Sequence, residues 1–475
     1  MESRTMAKTS KLHVVMFPWL GFGHIIPFFE LSKFIAHRGH KISFVSTPRN
    51  IDRLPKIPPH LISSITLLKI PLPKVEGLPE SAEATMDIKN EYIPHLKKAF
   101  DGMEAELTCF LENSLPDWIL YDFAPYWLPP VAARLGISRA YFRVINAWFL
   151  AFFGSSETMI NGSDERKSAE DFMIPPKWVP FETKLAYRRY EANWLVRATQ
   201  TNDSGFSDSY RGGKVIDGSE VIFIRHCNEF ESIWLKLLEE LHKRPVIPVG
   251  LMPPQVEEDN SQSWVSIKAW LDDQNELSVV YVALGSEVSP SQDQLHELAL
   301  GLELSGVPFF WALRKPSGFG ESYEVVLPVG FEERVKGRGM VWKSWAPQLK
   351  ILSHDSVGAF LTHCGWSSFI EGLIFGHPLI ALPFQVDQGL NARIVADKQF
   401  GMEIPRSDED GSFTRNSVSD SIKLVMINFE GKKFRDNAKE MSGIFGDKRL
   451  HDRYIDNFIN FLENHRIISS ATESE

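Results

Sequence analysis

An α/β architecture of two facing Rossmann-like domains with a cleft between them is predicted by three observations on this 475-residue chain. The length exceeds what one hydrophobic core usually organises. Strand-like apolar runs alternate with helical patterns in both halves, which signals parallel sheet with crossover helices. A stretch rich in Pro and acids, RPVIPVGLMPPQVEEDNSQSW, separates the two alternations and reads as a linker.

The first alternation runs LHVVMF, a helix around IIPFFELSKFIAHRG, HKISFVST, SSITLLKI, the amphipathic stretch YIPHLKKAFDGMEAELTCFLEN, the strand DWILYD, a helix ending at Leu135 and Gly136, and RAYFRVI. From about 154 to 211 the pattern dissolves into Ser, Asn, Gly and charged residues broken by PPKW and VPF. An irregular insert of that length is usually functional or mobile, so a flap over a cleft and a disordered excursion are both open. A second alternation follows: the helix WVSIKAWLDDQ, SVVYVALGS, QLHELALGLELSG, PFFWALR, GMVWKSW, AFLTHCG, PLIALP and MEIP, with helical patterns closing the chain. The expected division is a domain over 1–243, a linker over 244–262, a second domain over 263–450 and a closing helix over 451–475.

Composition narrows the function classes. At 43% apolar and 12% aromatic residues there is material for two cores, and a net charge of -10 argues against nucleic acid as the main partner, since that calls for clustered Lys and Arg. Cys109, Cys227 and Cys364 are too widely spaced for a disulfide framework or a metal knuckle, which fits a reduced compartment. The start, MESRTMAKTSKLHVVMFPWLGFGH, is polar for eleven residues, and its apolar run is too short and broken for a signal peptide or a membrane span. A cytoplasmic, soluble monomer is expected, which makes the N-x-S sequons at Asn161 and Asn202 chance matches.

The most specific segment is 345–388, WAPQLKILSHDSVGAFLTHCGWSSFIEGLIFGHPLIALPFQVDQ. FLTHCG reads as a short buried strand and GWSSFIEGLIFG as a helix starting directly after it. Backbone N–H groups near Ser367 and Ser368 then point outward at a helix N-terminus, a site that favours diphosphate. Any one residue here could simply fill a core; the ordered set of Trp, Gln, His, Glu, Asp and Gln is what points to a nucleotide sugar.

This segment resembles, over its full length, the C-terminal signature box of plant UDP-dependent glycosyltransferases, whose fold is called GT-B. The resemblance implies a transferase that moves a hexose from a UDP-sugar, with no bound metal or permanent cofactor. It implies Trp345 under uracil, Gln348 on the ribose, His363 with Ser368 at the diphosphate, Glu371 on the ribose hydroxyls, and Asp387 with Gln388 on the donor sugar. Ala346, Gly365, Trp366 and Ser367 complete the donor set, and Ser286, after Gly285 at the end of a strand, would touch the phosphates. One departure is plain: the family usually has Asn after the GW pair, whereas Ser367 stands here and is expected to reach phosphate through water. The resemblance also implies that the last helix crosses back onto the first domain.

In the first domain, FPWLGFGHIIPF connects a strand to a helix, so His24 lies at the helix start and at the carboxyl edge of the sheet. Inverting sugar transfer needs a base for the acceptor hydroxyl, and an imidazole suits it. The helix N-terminus alone lowers the pKa of His24; a carboxylate partner would offset this. Asp122, ending DWILYD, is the candidate, able to fix the tautomer and stabilise the imidazolium. The two resemble the His and Asp dyad of the same family. Trp19, Phe22, Gly23, Tyr141, Phe142, Trp148 and Phe149 are candidate linings of an apolar acceptor pocket. Asp408 and Asp410 form a D-x-D trace in the polar turn SDEDGS, read as a solvated loop.

Further stretches in both halves, among them LPDWILYDFAPYWLPPVAARLGIS, YVALGSEV and GLELSGVPFFWALRKP, resemble the branch that adds a sugar to a sugar already on a terpenoid or flavonoid. By that resemblance Gln388 favours UDP-glucose over UDP-galactose, UDP-rhamnose stays open, and the partner is a small-molecule glycoside. Two rivals remain. GFGHII begins like a dinucleotide fingerprint, but Ile26 stands at its third glycine and no acid closes KISFVST. A non-catalytic UDP-sugar sensor would not need both His24 and Asp122.

Overall fold

The computed structural model describes residues 11–256, 261–285, 287–314 and 325–467. Two wholly parallel sheets organise it. The first comprises β1 (His13–Phe17), β2 (Lys41–Ser46), β3 (Ile65–Lys69), β4 (Trp118–Tyr121), β5 (Ser138–Arg143), β6 (Val221–Ile224) and β7 (Val246–Pro248), in the order β3-β2-β1-β4-β5-β6-β7. The second comprises β8 (Val279–Ala283), β9 (Phe309–Ala312), β10 (Gly339–Trp342), β11 (Val357–Thr362), β12 (Leu379–Ala381) and β13 (Gly401–Glu403), in the order β10-β9-β8-β11-β12-β13. Helices cover both faces of each sheet. Strands so covered need apolar residues at nearly every position, as in VVMF, WILY, VVYVA and VGAFLT, all buried.

Chain order reverses between β1 and β4 in the first sheet and between β8 and β11 in the second, where Phe17 pairs with Tyr121 and Ala283 with Thr362. Connections leave such a pair in opposite directions and open a crevice at its carboxyl edge, where ligands bind. The lobes meet along a continuous apolar core. Trp148 of the first packs edge-on against Trp366 of the second with ring centroids 5.3 Å apart, and Phe230 lies 5.2 Å from Phe445.

The closing helix, Lys448–His465, lays Ile455, Phe458, Ile459 and Leu462 into the core of the first sheet beside Trp118 and Phe223. Trp118 Nε1 donates to the Leu462 carbonyl at 2.9 Å. Among the described residues, no helix is long and apolar enough to cross a membrane.

Two local expectations are corrected. The amphipathic stretch after residue 91 forms two helices, Ile93–Asp101 and Glu104–Ser114, separated at Gly102, a poor helix former, while Pro94 is accommodated in the first turn. The insert is more ordered than its composition suggests. It contains the helix Arg189–Thr199, which buries Ala192, Leu195 and Ala198, and it is tied to the second lobe by Arg188–Glu403 at 3.0 Å and by Tyr187, whose hydroxyl donates to the Val386 carbonyl at 3.0 Å. Those partners are distant in sequence, so no local pattern announces them.

Candidate active site

In the first sheet, the loop after β1 enters the helix Phe22–His37 with Gly21 at its N-cap, and His24 falls in the first turn. Asp122 directly follows β4, the neighbouring strand. The fold therefore brings together two residues 98 apart: His24 Nδ1–H donates to Asp122 Oδ2 at 2.6 Å. Asp122 is fully buried, and it also accepts from the backbone N–H groups of Trp19 at 3.2 Å and Phe123 at 2.7 Å, so three donors fix its orientation. Burial by itself would lower the pKa of His24, but the Asp122 charge and hydrogen bond, with help from Glu287, outweigh it and raise the value above 6.5. With Nδ1 committed, Nε2 is the atom able to take a proton.

In the second sheet, β11 ends at Thr362, and His363 and Cys364 lead to Gly365, the N-cap of the helix Trp366–Ile374. No side chain caps this helix, which leaves its first N–H groups for a ligand. Glycines make the slot that holds the His363 ring: a Cβ on Gly285 would lie 2.7 Å from it and one on Gly365 2.6 Å, and Gly285 has φ +77°. Burial pushes the His363 pKa down to about 4, so near neutrality the ring is uncharged and offers a single N–H.

Gln348 donates through Nε2 to Glu371 Oε2 and accepts at Oε1 from the Tyr281 hydroxyl at 3.2 Å. Burial raises the pKa of Glu371. Trp345 is 64% exposed, while Ala346 beside it is buried. Asp387 is buried and accepts at Oδ2 from Asn391 at 2.7 Å and from Asn146 at 3.4 Å. Burial lifts its pKa to about 6, and the charge on His24 opposes that rise. The next residue, Gln388, uses Oε1 to accept the N–H groups of Phe384 and Gln385 at 2.8 and 3.1 Å, so its amide nitrogen is left as a donor.

Some positions differ from expectation. Ser367 Oγ accepts from Arg225 Nη1 of the first lobe at 2.8 Å, a contact that the sequence reading did not include. Ser368 sits in the first turn as expected, and Ser286 lies outside the described residues. Asp408 pairs with Arg188 at 2.9 Å, and Asp410 accepts from the Ser412 N–H at 3.0 Å.

Of the candidate acceptor linings, Phe142 is fully buried in the core 4.8 Å from Phe28, because β5 turns that face toward the helix Phe22–His37. Trp148 is also fully buried, and its Nε1 donates to Asn391 Oδ1 at 3.0 Å across the lobes. Tyr141 is buried too, accepting from Arg143. These three are packing residues. Trp19 and Phe149 are nearly buried, while Phe22 and Gly23 keep more exposure at the start of the histidine helix.

Several residues went unnoticed in the sequence. Asn146 caps the helix Ala147–Ala151 and also donates to Asn391 at 2.8 Å. Arg143 is buried, with Phe149 5.0 Å beneath its guanidinium and Nε unpartnered. Glu287 accepts from Thr85 Oγ1 at 2.8 Å, joining the lobes beside His24. A polar residue just beyond the predicted strand RAYFRVI was the available signal for Asn146; Arg143 lies within that strand, and Arg225 follows β6, which the sequence reading did not include.

A histidine and carboxylate pair stands at one sheet's switch point and an uncapped helix N-terminus at the other's, and two parallel-sheet domains arranged in this way are the GT-B class of fold. The family model described as "UDP-glucoronosyl and UDP-glucosyl transferase" matches residues 255–465. UDP-glycosyltransferase 91D2 of Stevia rebaudiana is 53% identical over 98% of each chain, and the Soyasaponin III rhamnosyltransferase of Glycine max is 44% identical over 97% of each. The structure of Phytolacca americana UGT2 complexed with UDP-2fluoro-glucose and pterostilbene is similar with a TM-score of 0.73 at 26% identity, covering 95% of this chain and 99% of that one. The chain belongs to family 1 of the plant UDP-glycosyltransferases and is a UDP-sugar-dependent hexosyltransferase.

Proposed function

We propose that this enzyme transfers glucose, with inversion, from UDP-glucose to a sugar hydroxyl of a terpenoid or flavonoid glycoside, forming a β-linked disaccharide unit in the cytoplasm. The observation that carries the reading is the pairing of His24 with Asp122 in one lobe, opposite Asp387 in the other, close enough that the charge on His24 is felt by Asp387. The acceptor oxygen attacks the anomeric carbon from the face opposite UDP, and His24 Nε2 takes its proton as the C–O bond forms. The bond to the phosphate oxygen breaks, and its electron pair leaves with UDP. Asp122 holds the ring and stabilises the imidazolium. His363 and the first N–H groups of the helix Trp366–Ile374 stabilise the charge that grows on the diphosphate.

Asp387 and the amide of Gln388 hold the donor hydroxyls, while Trp345, Gln348 and Glu371 hold the nucleoside. Of the expected units 1–243, 244–262, 263–450 and 451–475, the first would hold the acceptor and the third the donor, with β7 (Val246–Pro248) carrying the first sheet into the segment expected as linker.

A matrix of UDP-glucose, UDP-rhamnose and UDP-galactose against aglycones and their monoglucosides, read by mass spectrometry, tests the reading. The expected product is a monoglucoside carrying one further glucose. Transfer from UDP-rhamnose alone replaces the donor, and glucosylation of free aglycones alone replaces the acceptor class. The 44% identity with a rhamnosyltransferase is the reason that arm is included.

Replacing Glu371 with Ala is expected to weaken UDP binding by about tenfold or more in calorimetry, because a carboxylate accepting two ribose hydroxyls contributes roughly 1.5–3 kcal/mol. Unchanged affinity for UDP breaks the ribose assignment.

A further inference from the structure

We propose that Arg225, a residue of the first lobe, is a diphosphate-binding residue of the donor site, taking with Ser367 the place that an Asn side chain fills in most of the family; this rests on the UDP-sugar reading above. Three observations carry it. Arg225 follows β6, is 4% exposed and makes no ion pair within 4.0 Å among the described residues. Its Nε donates to the Leu251 carbonyl at 2.8 Å and its Nη1 to Ser367 Oγ at 2.8 Å, so the guanidinium is anchored and aimed at the first turn of the helix Trp366–Ile374. Its remaining nitrogen, Nη2, has no hydrogen-bond partner among the described residues and is not among the sealed, unpartnered polar atoms of the interior. That nitrogen is left as a donor at the helix terminus.

Charge supports the assignment. The donor segment 345–388 contains one lysine and no arginine, and that lysine, Lys350, lies over the Trp264 ring with its nitrogen 5.1 Å from the centroid. His363 is held neutral by burial. A diphosphate whose charge grows as the sugar departs would otherwise meet only neutral donors there, and a desolvated cation acts most strongly on developing charge. Burial also pushes the Arg225 pKa down to about 10, although the charges of Glu371 and Glu30, both beyond ion-pair distance, oppose that fall. Its backbone carbonyl accepts from Trp366 Nε1 at 2.9 Å, so the first lobe and the donor helix are joined at this point. Ser367, being short, leaves room for the guanidinium that a longer side chain would occupy.

The test compares calorimetric affinities of UDP and uridine for the full-length wild type, Arg225→Met, Arg225→Lys and Arg225→Met combined with Ser367→Asn. Arg225→Met is expected to weaken UDP by at least tenfold while uridine binds as before. Arg225→Lys should recover part of the loss, and Ser367→Asn added to Arg225→Met should recover part through a neutral donor. Wild-type UDP affinity should also fall with salt more steeply than that of Arg225→Met. If Arg225→Met binds UDP as tightly as wild type does, or loses UDP and uridine equally with no recovery in the lysine variant, Arg225 only joins the lobes and the proposal fails. If the methionine variant does not fold, Arg225→Gln supplies the same comparison. A wild type that binds neither UDP nor uridine overturns the nucleotide reading itself, which is a different result from either.

Discussion

Replacing His24 with Ala lowers glycosyl transfer by about 10²–10⁴-fold while UDP binds with near wild-type affinity. The reason is spatial separation of roles. His24 stands at the carboxyl edge of the first sheet, and the groups assigned to the nucleotide stand at the edge of the second. Removing the imidazole deletes the proton acceptor without touching Trp345, Gln348, His363 or Glu371. The loss therefore falls on kcat, with the affinity for UDP as the internal control. Near-normal turnover in His24→Ala would mean that another group takes the proton. Lost UDP binding would mean that the histidine supports the nucleotide instead.

Replacing Asp122 with Asn has a comparable effect on rate and a distinctive effect on pH dependence. Asn keeps the shape but only one acceptor oxygen, so it can serve the Trp19 N–H and His24 at the Oδ2 position or the Phe123 N–H at Oδ1, not both, and it carries no charge to stabilise an imidazolium; a loss of about 10²–10⁴-fold is expected. The sign of the pH shift follows from the causes. The base works only when neutral, so kcat/KM rises with pH and levels above the His24 pKa, which the wild type holds above 6.5. Burial lowers that pKa and Asp122 raises it; with the carboxylate gone, burial is opposed only by the Glu287 charge and the ascending limb moves to lower pH. Wild type and variant thus differ most on the high-pH plateau. An unmoved limb, measured with saturating donor, refutes the coupling between the two residues.

The strands were legible wherever parallel sheet buries them on both faces. Runs such as VVMF, WILY and VGAFLT admit few other readings, and each became a strand. The edge positions of Asp122 and His363 were legible as well, because a polar residue directly after such a run lies at the carboxyl edge, and that of His24 because it stands in the first turn of the helix that follows β1. The aromatic linings were not. Tyr141 and Phe142 are consecutive in β5 and point to opposite faces, yet a strand covered on both sides buries both. Trp148 follows a loop whose direction depends on Asn391 in the other lobe. The helix Arg189–Thr199 was missed because its weakly apolar sequence is held partly by ion pairs to residues some 200 positions away, such as Glu191 with Arg393.

By itself the sequence determined the parallel α/β class, the family to which the segment 345–388 belongs, and the placing of His24 at a helix start on the first sheet's carboxyl edge, because these follow from apolar runs, helix starts and residue order within a few turns of chain. The partnership of His24 with Asp122 was expected from their strand-edge positions, and the structure supplies its geometry; only the tertiary structure decided that Asn146 meets Asp387 and Asn391, and Arg225 meets Ser367, across the two lobes. Those contacts join residues roughly 100–250 positions apart, and a hydrogen bond spans about 3 Å. Local pattern carries no information at that separation; the strand order, through its reversals at β1 and β4 and at β8 and β11, supplies it.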